Sequence, residues 1–305
     1  IVLAHQDRGN HIITSAVEHP AVLETCAFLE KMGFKVTYLD VDKFGSLKVG
    51  DLKKALTDKT ILVSIMAANN EVGTLLPIKV LCAAAKEKNV FFHTDAVQAV
   101  GKIMVDVRDL GVDLLSLSAH KFHGPKGIGA LYIKKGVKIE PLIHGGKQES
   151  GIRAGTHNVP AIVGLSKAAE LALLSLSEFD KVRRRRDKLE KEILRLIPNA
   201  EVNGHPKNRL PNTLNLTIPN IRGESLVIAL DQHGVALSSG SACKTGSPEP
   251  THVLKAMGKS DEQAHCAVRL SLSRFTTEKE IKDTLSIIEQ VLVEMESTIR
   301  FLPCK

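Results

Sequence analysis

The sequence predicts an α/β protein with a large domain built on a mostly parallel sheet, followed by a smaller α+β domain. Two observations predict this class. Short apolar runs alternate with amphipathic helical patterns in the first half, and those runs are apolar on both faces, as in a parallel sheet covered by helices on both sides. A length of 305 residues allows two domains. We place them at 1–170 and 171–305.

Six apolar runs predict the strands of the first half, and the periodic segments between them predict helices. The strands are expected at 12–15, 34–39, 61–66, 90–93, 112–117 and 129–133, with helices from Pro20, at 49–56 and at 78–88. Proline suits the first helical position because the N–H that it lacks would have no partner there.

The second half predicts fewer strands and longer helices. Strands are expected at 213–218, 235–237 and 267–272, and helices at 160–196 with an interruption near 175–177, at 224–232 and at 277–299. The arginine run 183–186 has acidic neighbours at helical spacing. It therefore predicts a solvated helix face with charge pairs rather than a nucleic-acid patch.

Composition excludes several classes of protein. Hydrophobic residues make up 43% and charged residues 25%, as in ordinary globular proteins. The net charge of +7 is modest, basic residues are not interleaved with aromatic ones, and no apolar run has the length of a bilayer span. We therefore expect neither nucleic acid nor a membrane as a partner. No signal peptide is visible, and the first residue is Ile1 rather than methionine, so a longer natural chain is expected.

The five cysteines are scattered and form no CxxC pair. This pattern predicts a reducing compartment, the cytoplasm or an organelle matrix, and argues against a disulfide framework or a metal site. Cys26 and Cys82 lie on apolar helix faces and are expected in the core, whereas Cys266 and Cys304 have no evident partner.

Lys121 stands at the centre of the most informative stretch, S-L-S-A-H-K-F-H-G-P-K-G-I-G at 116–129. A buried strand leads into a glycine-bounded turn, so we expect the lysine to be partly desolvated. Such an amine can form a Schiff base with a carbonyl cofactor such as pyridoxal phosphate (PLP). The alternative is an ordinary lysine of a surface loop.

Polar residues follow three consecutive predicted strands. They are Asn69, Asn70 and Glu71 after the third strand, Asp95 and Gln98 after the fourth, and Ser118, His120 and Lys121 after the fifth. Ligands of parallel sheets bind beyond the carboxyl ends of the strands, so these residues predict a site at one edge. Any one of them, Asp95 included, could instead be a helix cap.

Two loop segments carry further candidates. Residues 139–159 are polar and glycine-rich, and Arg153, Thr156 and His157 suit the binding of an anion or a partner subunit, or else an interdomain loop. Cys243 lies among small residues, with Lys244 beside it to favour the thiolate and two prolines after it. An exposed, reactive cysteine is predicted there.

Four of these motifs together resemble the NifS/IscS type of cysteine desulfurase, PLP enzymes of the class V aminotransferase family. The motifs are S-A-H-K-F-H-G-P-K-G-I-G-A-L-Y, H-T-D-A-V-Q-A-V-G-K, R-A-G-T-H-N and S-S-G-S-A-C, and the similarity extends from His11 to the last helix. The resemblance implies the PLP-dependent transferase (aspartate aminotransferase-like) fold with a sheet of the seven-stranded type. It also implies a further N-terminal segment that helps to bind the PLP phosphate.

The resemblance implies roles around the cofactor ring. Lys121 would hold PLP and move the substrate Cα proton, and Asp95 would pair with the pyridine nitrogen. Gln98 would bond the ring hydroxyl. His19, in V-E-H-P-A-V, would stack on the ring and share in proton transfer; the alternative for His19 is a helix cap.

It also implies phosphate and substrate ligands. Ser118 and His120 would bind the phosphate, and Thr156 would reach the phosphate of the other subunit, which implies a homodimer. Asn70 would contact cofactor or substrate, and Arg269, in V-R-L-S-L, would bind the substrate carboxylate.

The implied reaction converts L-cysteine to L-alanine and leaves a persulfide on Cys243, for transfer to an iron–sulfur scaffold or a sulfur-carrier protein. One alternative is a selenocysteine lyase, which shares the fold and the lysine. The other is a catalytically silent assembly partner.

Overall fold

The computed structural model describes residues 1–239 and 250–301, with side chains up to residue 295. It divides into two compact units. The N-terminal unit comprises Ile1–Asp42, Ser46–Asn70 and Leu75–Leu176, and the C-terminal unit comprises Lys43–Gly45, Glu71–Thr74 and Ser177–Lys305. The main division thus falls at 176/177, where the sequence placed it at 170/171.

A mostly parallel sheet forms the centre of the N-terminal unit and confirms the predicted α/β class. Its order is β2-β1-β3-β4-β5-β6, and only β6 is antiparallel to its neighbour β5. The described sheet has six strands, rather than the seven-stranded type that the resemblance implied. The strands are β1 (His11–Ser15), β2 (Lys35–Leu39), β3 (Thr60–Ser64), β4 (Phe91–Asp95), β5 (Leu114–Ser118) and β6 (Gly129–Ile133).

Four helices connect the parallel strands, and a fifth follows β6. The connecting helices are α1 (Pro20–Lys31), α2 (Val49–Ala55), α3 (Ile78–Lys86) and α4 (Val107–Leu110), and the fifth is α5 (Val159–Leu174). All five residues of β1 and all five of β3 are buried. Their continuous burial follows from helices on both faces of the sheet and explains why these strands are apolar runs in the sequence.

The C-terminal unit contains an antiparallel sheet of order β7-β8-β10-β9. The predicted strand 235–237 is wrong: β9 begins directly after it, at Ser238. The short strand β7 had not been predicted. The elements are α6 (Phe179–Leu196), β7 (Glu201–Asn203), β8 (Thr213–Thr217), α7 (Gly223–Gln232), β9 (Ser238–Ser239), α8 (His252–Ala256), α9 (Asp261–His265), β10 (Ala267–Ser271) and α10 (Glu278–Phe301).

The two faces of this sheet differ in polarity. Leu214, Leu216 and Val268 point into an apolar core shared with α6, α7 and α10. Because side chains alternate along a strand, the opposite face carries Asn215 and Arg269, which pair in register across β8 and β10. Asn215 is fully buried, so this unit has a covered polar face as well as an apolar one.

The arginine run of α6 is not wholly solvated. Arg186 is 4% exposed, and its Nη1 donates to the Leu210 carbonyl at 2.9 Å. The expectation of a solvated face is therefore wrong for Arg186. It shares the buried side of the helix with Val182, Leu189 and Ile193, at spacings of four, three and four residues.

Cys26, Cys82 and Cys266 are buried free thiols, which confirms the core prediction for the first two. Burial raises the pKa of both Cys26 and Cys82 to about 11. Cys243 and Cys304 lie outside the described residues. Among the described helices, none alone is long and apolar enough to cross a membrane; Val159–Leu174 and Leu176–Leu196 pass that test only as a pair, across a bend of 54°.

Candidate active site

The carboxyl ends of β1, β3, β4 and β5 lie side by side at one edge of the N-terminal sheet. Backbone hydrogen bonds continue past the strand ends, from Ala67 N to the Asp95 carbonyl at 2.8 Å and from Ala96 N to the Ser116 carbonyl at 2.9 Å. The residues that follow these strands are therefore held in register, and the predicted edge exists.

Lys121 lies in a single 3-10 turn, residues 119–122, directly after β5. Ala119 and Phe122 point into the core, so the two residues between them, His120 and Lys121, point outward and are exposed. The expected desolvation of Lys121 is thus absent, because burial of positions one and four of the turn turns its middle outward. Gly124 closes the turn: a Cβ there would lie 2.8 Å from the Ala119 Cβ.

Asp95 ends β4, and its Oδ1 accepts a hydrogen bond from Val97 N at 2.9 Å. Burial raises the pKa of this carboxyl, while the Val97 amide and the charges of His19 and Lys121 oppose the rise. His19 and Lys121, from two different strand ends, therefore both act on Asp95. The side chain caps its turn, as the alternative had it, and it is also within electrostatic range of both basic groups.

His19 is the N-cap of α1, and its Nδ1 accepts from Ala21 N at 3.1 Å. The alternative for His19, a helix cap, is thus correct. The cap also fixes the ring at the end of β1, within electrostatic range of Asp95.

Ser118 and His120 form the next pair along the edge, with Ser118 Oγ 2.8 Å from His120 Nδ1. Some burial and the charges of Lys121 and Lys126 lower the pKa of His120. A hydroxyl and an imidazole beside two ammonium groups favour an anion. This is the arrangement expected of phosphate ligands.

Asn70 follows β3 and Gln98 follows β4. Gln98 Oε1 accepts from Lys102 Nζ at 2.6 Å. Asn70 is half-buried, and its neighbour Asn69 donates to the Val17 carbonyl at 2.9 Å, which ties the segment after β3 to the turn that carries His19.

Glu18 is a member of this edge that sequence reasoning missed. Its side chain is fully buried, and Oε1 accepts from Ser15 Oγ at 2.6 Å and from Met66 N at 2.9 Å. Burial raises its pKa to about 8; the two hydrogen bonds oppose the rise, and the nearby Asp95 adds to it. Glu18 therefore keeps its proton near neutral pH. Its position next to His19 was the one available signal.

The structure does not bring every predicted residue to this edge. Thr156 lies in an exposed loop whose described contacts are internal, such as Gly155 N to Gln148 Oε1 at 3.0 Å. Arg269 belongs to β10 of the C-terminal unit, and Cys243 lies outside the described residues.

The residues at this edge fit PLP. Lys121 supplies a primary amine, and Asp95 is a half-buried carboxyl suited to a protonated ring nitrogen. Ser118 and His120 supply the polar pair for a phosphate. A strand-end lysine and such a carboxyl, at one edge of a mostly parallel sheet, are typical of a PLP-dependent transferase.

Comparisons with known proteins agree with this class. A family model described as aminotransferase class-V matches residues 1–284. The cysteine desulfurase IscS of Methanosarcina thermophila is 50% identical over 304 residues, which are 99% of this chain and 75% of that protein. That of Dictyoglomus turgidum is 51% identical, over 97% of this chain and 76% of that protein.

Solved structures give the same result. A NifS-like protein matches with a TM-score of 0.89 and 44% identity, over 96% of this chain and 78% of that one. SspA in complex with cysteine matches with a TM-score of 0.75 and 36% identity, over 90% of this chain and 77% of that one. The chain belongs to the class V aminotransferase family, among the cysteine desulfurases of the NifS/IscS type.

Proposed function

We propose that the protein removes sulfur from L-cysteine with PLP, giving L-alanine and a persulfide on Cys243 that passes to an iron–sulfur scaffold or a sulfur-carrier protein. The observation that carries this proposal is the placement of His19, Asp95 and Lys121 at or after the carboxyl ends of β1, β4 and β5, which share one edge of the sheet. Two relatives that are about half identical in sequence are named cysteine desulfurase IscS, which supports the activity. The structure of SspA in complex with cysteine supports the substrate.

PLP, when bound, supplies an electron sink that acidifies the substrate Cα–H. The residues of the chain hold the ring and move the proton. The Asp95 carboxylate would keep the ring nitrogen protonated, and Glu18, whose pKa burial raises to about 8, would not compete for that role. Lys121 lies on the turn beside it, and its exposed amine is free of the core packing that holds Ala119 and Phe122. It can therefore bind the cofactor and then carry the Cα proton.

Phosphate binding falls to Ser118 and His120, whose 2.8 Å contact sets them as one unit near Lys126. Gln98 would bond the ring hydroxyl, and Asn70 would contact cofactor or substrate. His19, whose ring accepts a hydrogen bond from Ala21 N, would stack on the cofactor ring.

Sulfur transfer requires a nucleophile and a carboxylate anchor. Arg269 Nη2 is held at 3.2 Å by Ser238 Oγ, and Arg269 binds the substrate carboxylate. The Cys243 thiolate attacks the substrate sulfur. As the new S–S bond forms, the S–Cβ bond breaks, and its electron pair remains on carbon, which takes a proton to give alanine. No external oxidant or reductant is needed.

We also propose a homodimer in which Thr156 reaches the phosphate of the other subunit. Large apolar side chains are exposed on α5 and the loop before it, and a second copy would cover them: Leu142, Val159, Val163, Leu173 and Leu174 are 58–81% exposed. Sedimentation equilibrium should give twice the chain mass, and Val163→Glu should shift it towards the monomer. The buried free thiols are consistent with the reducing, cytoplasmic location that we propose.

Alanine release tests the function. The protein at its natural length, loaded with PLP, should release L-alanine from L-cysteine, and Cys243→Ser should lose both this activity and the persulfide seen by mass spectrometry. Full turnover of L-cysteine by Cys243→Ser would contradict the persulfide mechanism. Turnover of L-selenocysteine but not of L-cysteine by the wild type would establish the selenocysteine lyase instead.

A further inference from the structure

The covered polar face of the C-terminal sheet is closed by the short segment 71–74. Asn215 Nδ2 donates to the Glu71 carbonyl at 3.2 Å, and Leu210 N donates to the Gly73 carbonyl at 2.8 Å. Thr74 forms an isolated β-bridge with Arg209. The segment is thus bonded to this face along its whole length.

Two glycines show how closely the segment approaches the face. Gly73 has φ of +77°, and a Cβ there would lie 3.0 Å from the Thr213 Cβ. A Cβ on Gly204 would lie 2.5 Å from the Val72 carbonyl oxygen. With neither position able to take a side chain without displacement, the backbone at Glu71 is fixed closely.

The Glu71 side chain is 4% exposed, and its Oε2 accepts a hydrogen bond from Thr251 Oγ1. Burial raises the pKa of this carboxyl to about 7, and the Thr251 bond and the charge of Arg269 oppose the rise. Glu71 therefore lies within electrostatic range of Arg269 and is anchored on its other side by Thr251.

Arg269 occupies the centre of the same face. It pairs in register with Asn215 on β8 and with Ser238 on β9, and its Nη2 donates to Ser238 Oγ. A guanidinium carries five N–H donors in a rigid planar fork. One part of that fork can therefore be oriented by the protein while another binds a ligand carboxylate.

We propose that Glu71, anchored by Thr251, is a positioning residue for the substrate carboxylate: it orients the Arg269 guanidinium and balances its charge. This inference rests on the proposed function only in taking Arg269 as the carboxylate ligand. Glu71 touches no reacting atom, so its effect falls on substrate binding rather than on the chemical step.

Glu71→Gln keeps the size and the acceptor for Thr251 but removes the charge. In the PLP-loaded protein we expect KM for L-cysteine to rise about tenfold, with kcat within about twofold. Calorimetry with L-alanine, the product, which carries the carboxylate but no sulfur to transfer, should show a similar rise in Kd. Cysteamine, which has no carboxylate, should bind wild type and variant equally.

Thr251 supplies a second variant without a change of charge. Thr251→Val removes the anchor and should raise KM about threefold, whereas Thr251→Ser keeps the hydroxyl and should restore the wild-type value. The matched control is Glu190→Gln, which removes a carboxyl from another buried arginine of the unit, Arg209. It should lower the melting temperature and leave KM unchanged.

The outcomes separate this inference from the proposed function. An unchanged KM and Kd in Glu71→Gln and Thr251→Val, in a protein that desulfurates L-cysteine, overturns the inference and leaves the function. Weaker L-alanine binding in both variants, in a protein that releases no alanine from L-cysteine, overturns the function and leaves the inference. The inference is also overturned if Glu71→Gln and Glu190→Gln show the same rise in KM and the same falls in kcat and melting temperature. Glu71 would then have a structural role only.

Discussion

Asp95 in the N-terminal unit and Glu71 in the C-terminal unit are both buried or half-buried carboxyls within range of positive charge. In each, burial raises the pKa of a carboxyl, and a hydrogen bond and positive charge oppose the rise. They differ in the cation. The charges of His19, a helix cap, and of Lys121, exposed on a short turn, act on Asp95, whereas the charge of Arg269, held within a four-stranded sheet, acts on Glu71.

This difference assigns Lys121 to the chemical step and Arg269 to substrate binding. A lysine on a flexible four-carbon stem can change partners and carry a proton, while an arginine fixed in a sheet offers a constant fork to a carboxylate. We therefore expect changes at the Asp95 edge to lower kcat and changes around Glu71 to raise KM.

Loss of the Lys121 amine should have the largest effect. Lys121→Ala should lower kcat by about 10²–10⁴-fold, because proton transfer to and from Cα loses its carrier. Steady-state alanine release measures it, with the exposed Lys54→Ala as the control that keeps wild-type activity. A fall of less than about tenfold would mean that another group moves the proton.

Asp95→Asn should have the next largest effect. The amide oxygen can still accept from Val97 N, but the charge is lost, so kcat should fall about 10²–10³-fold while the protein stays folded. Asp106→Asn is the matched change, since Asp106 Oδ1 also caps a backbone N–H, that of Arg108 at 2.7 Å. If both variants kept full activity, Asp95 would be a turn cap and no more.

Glu18 should make stability depend on pH. Its pKa is about 8 in the folded protein against 4.5 ordinarily. As the pH rises, the unfolded chain therefore releases this proton at a lower pH than the folded protein does. Its release favours unfolding, so the folded state loses stability between about pH 4.5 and pH 8. Between about pH 5 and pH 7 the free energy of unfolding should fall by about 3 kcal/mol relative to that of Glu18→Gln. Urea denaturation at several pH values measures this, and parallel curves for the two proteins would contradict it.

Two glycines offer the smallest and most closely matched comparison. Gly73 and Gly127 have nearly the same φ, +77° and +78°, but a Cβ would meet Thr213 at the first and nothing within 4 Å at the second. Gly127→Ala should cost about 1 kcal/mol from backbone strain alone, and Gly73→Ala about 1 kcal/mol more. Equal melting temperatures would show that segment 71–74 is less closely held than its contacts indicate.

Sequence patterns predicted most strands to within two residues, because burial on both faces leaves continuous apolar runs. The patterns failed where the position of a strand depends on the neighbouring strand with which it pairs. Val235 to Leu237 is apolar, yet the strand forms at Ser238 and Ser239, where β10 offers its backbone. The strand Glu201–Asn203 has too little apolar character to be recognised alone.

The sequence predicted which polar residues lie at the site, because they follow strands directly. It did not predict which of them are buried. Asp95, Ser118 and Lys121 could be placed from strand ends, but the exposure of Lys121 depends on the turn that buries Phe122. Glu18 and Glu71 could not be recognised as buried carboxyls, since polar residues after a strand are usually solvated. Their positions next to His19 and Asn70 were the only hints.

The central claim is that Lys121 and Asp95 form one PLP site, and the visible absorption spectrum tests it most directly. The purified protein at its natural length, given PLP and then desalted, should keep an absorption band of lysine-bound cofactor that disappears in Lys121→Ala and shifts in Asp95→Asn. A protein that stays colourless, or a band that persists unchanged in Lys121→Ala, would contradict the account.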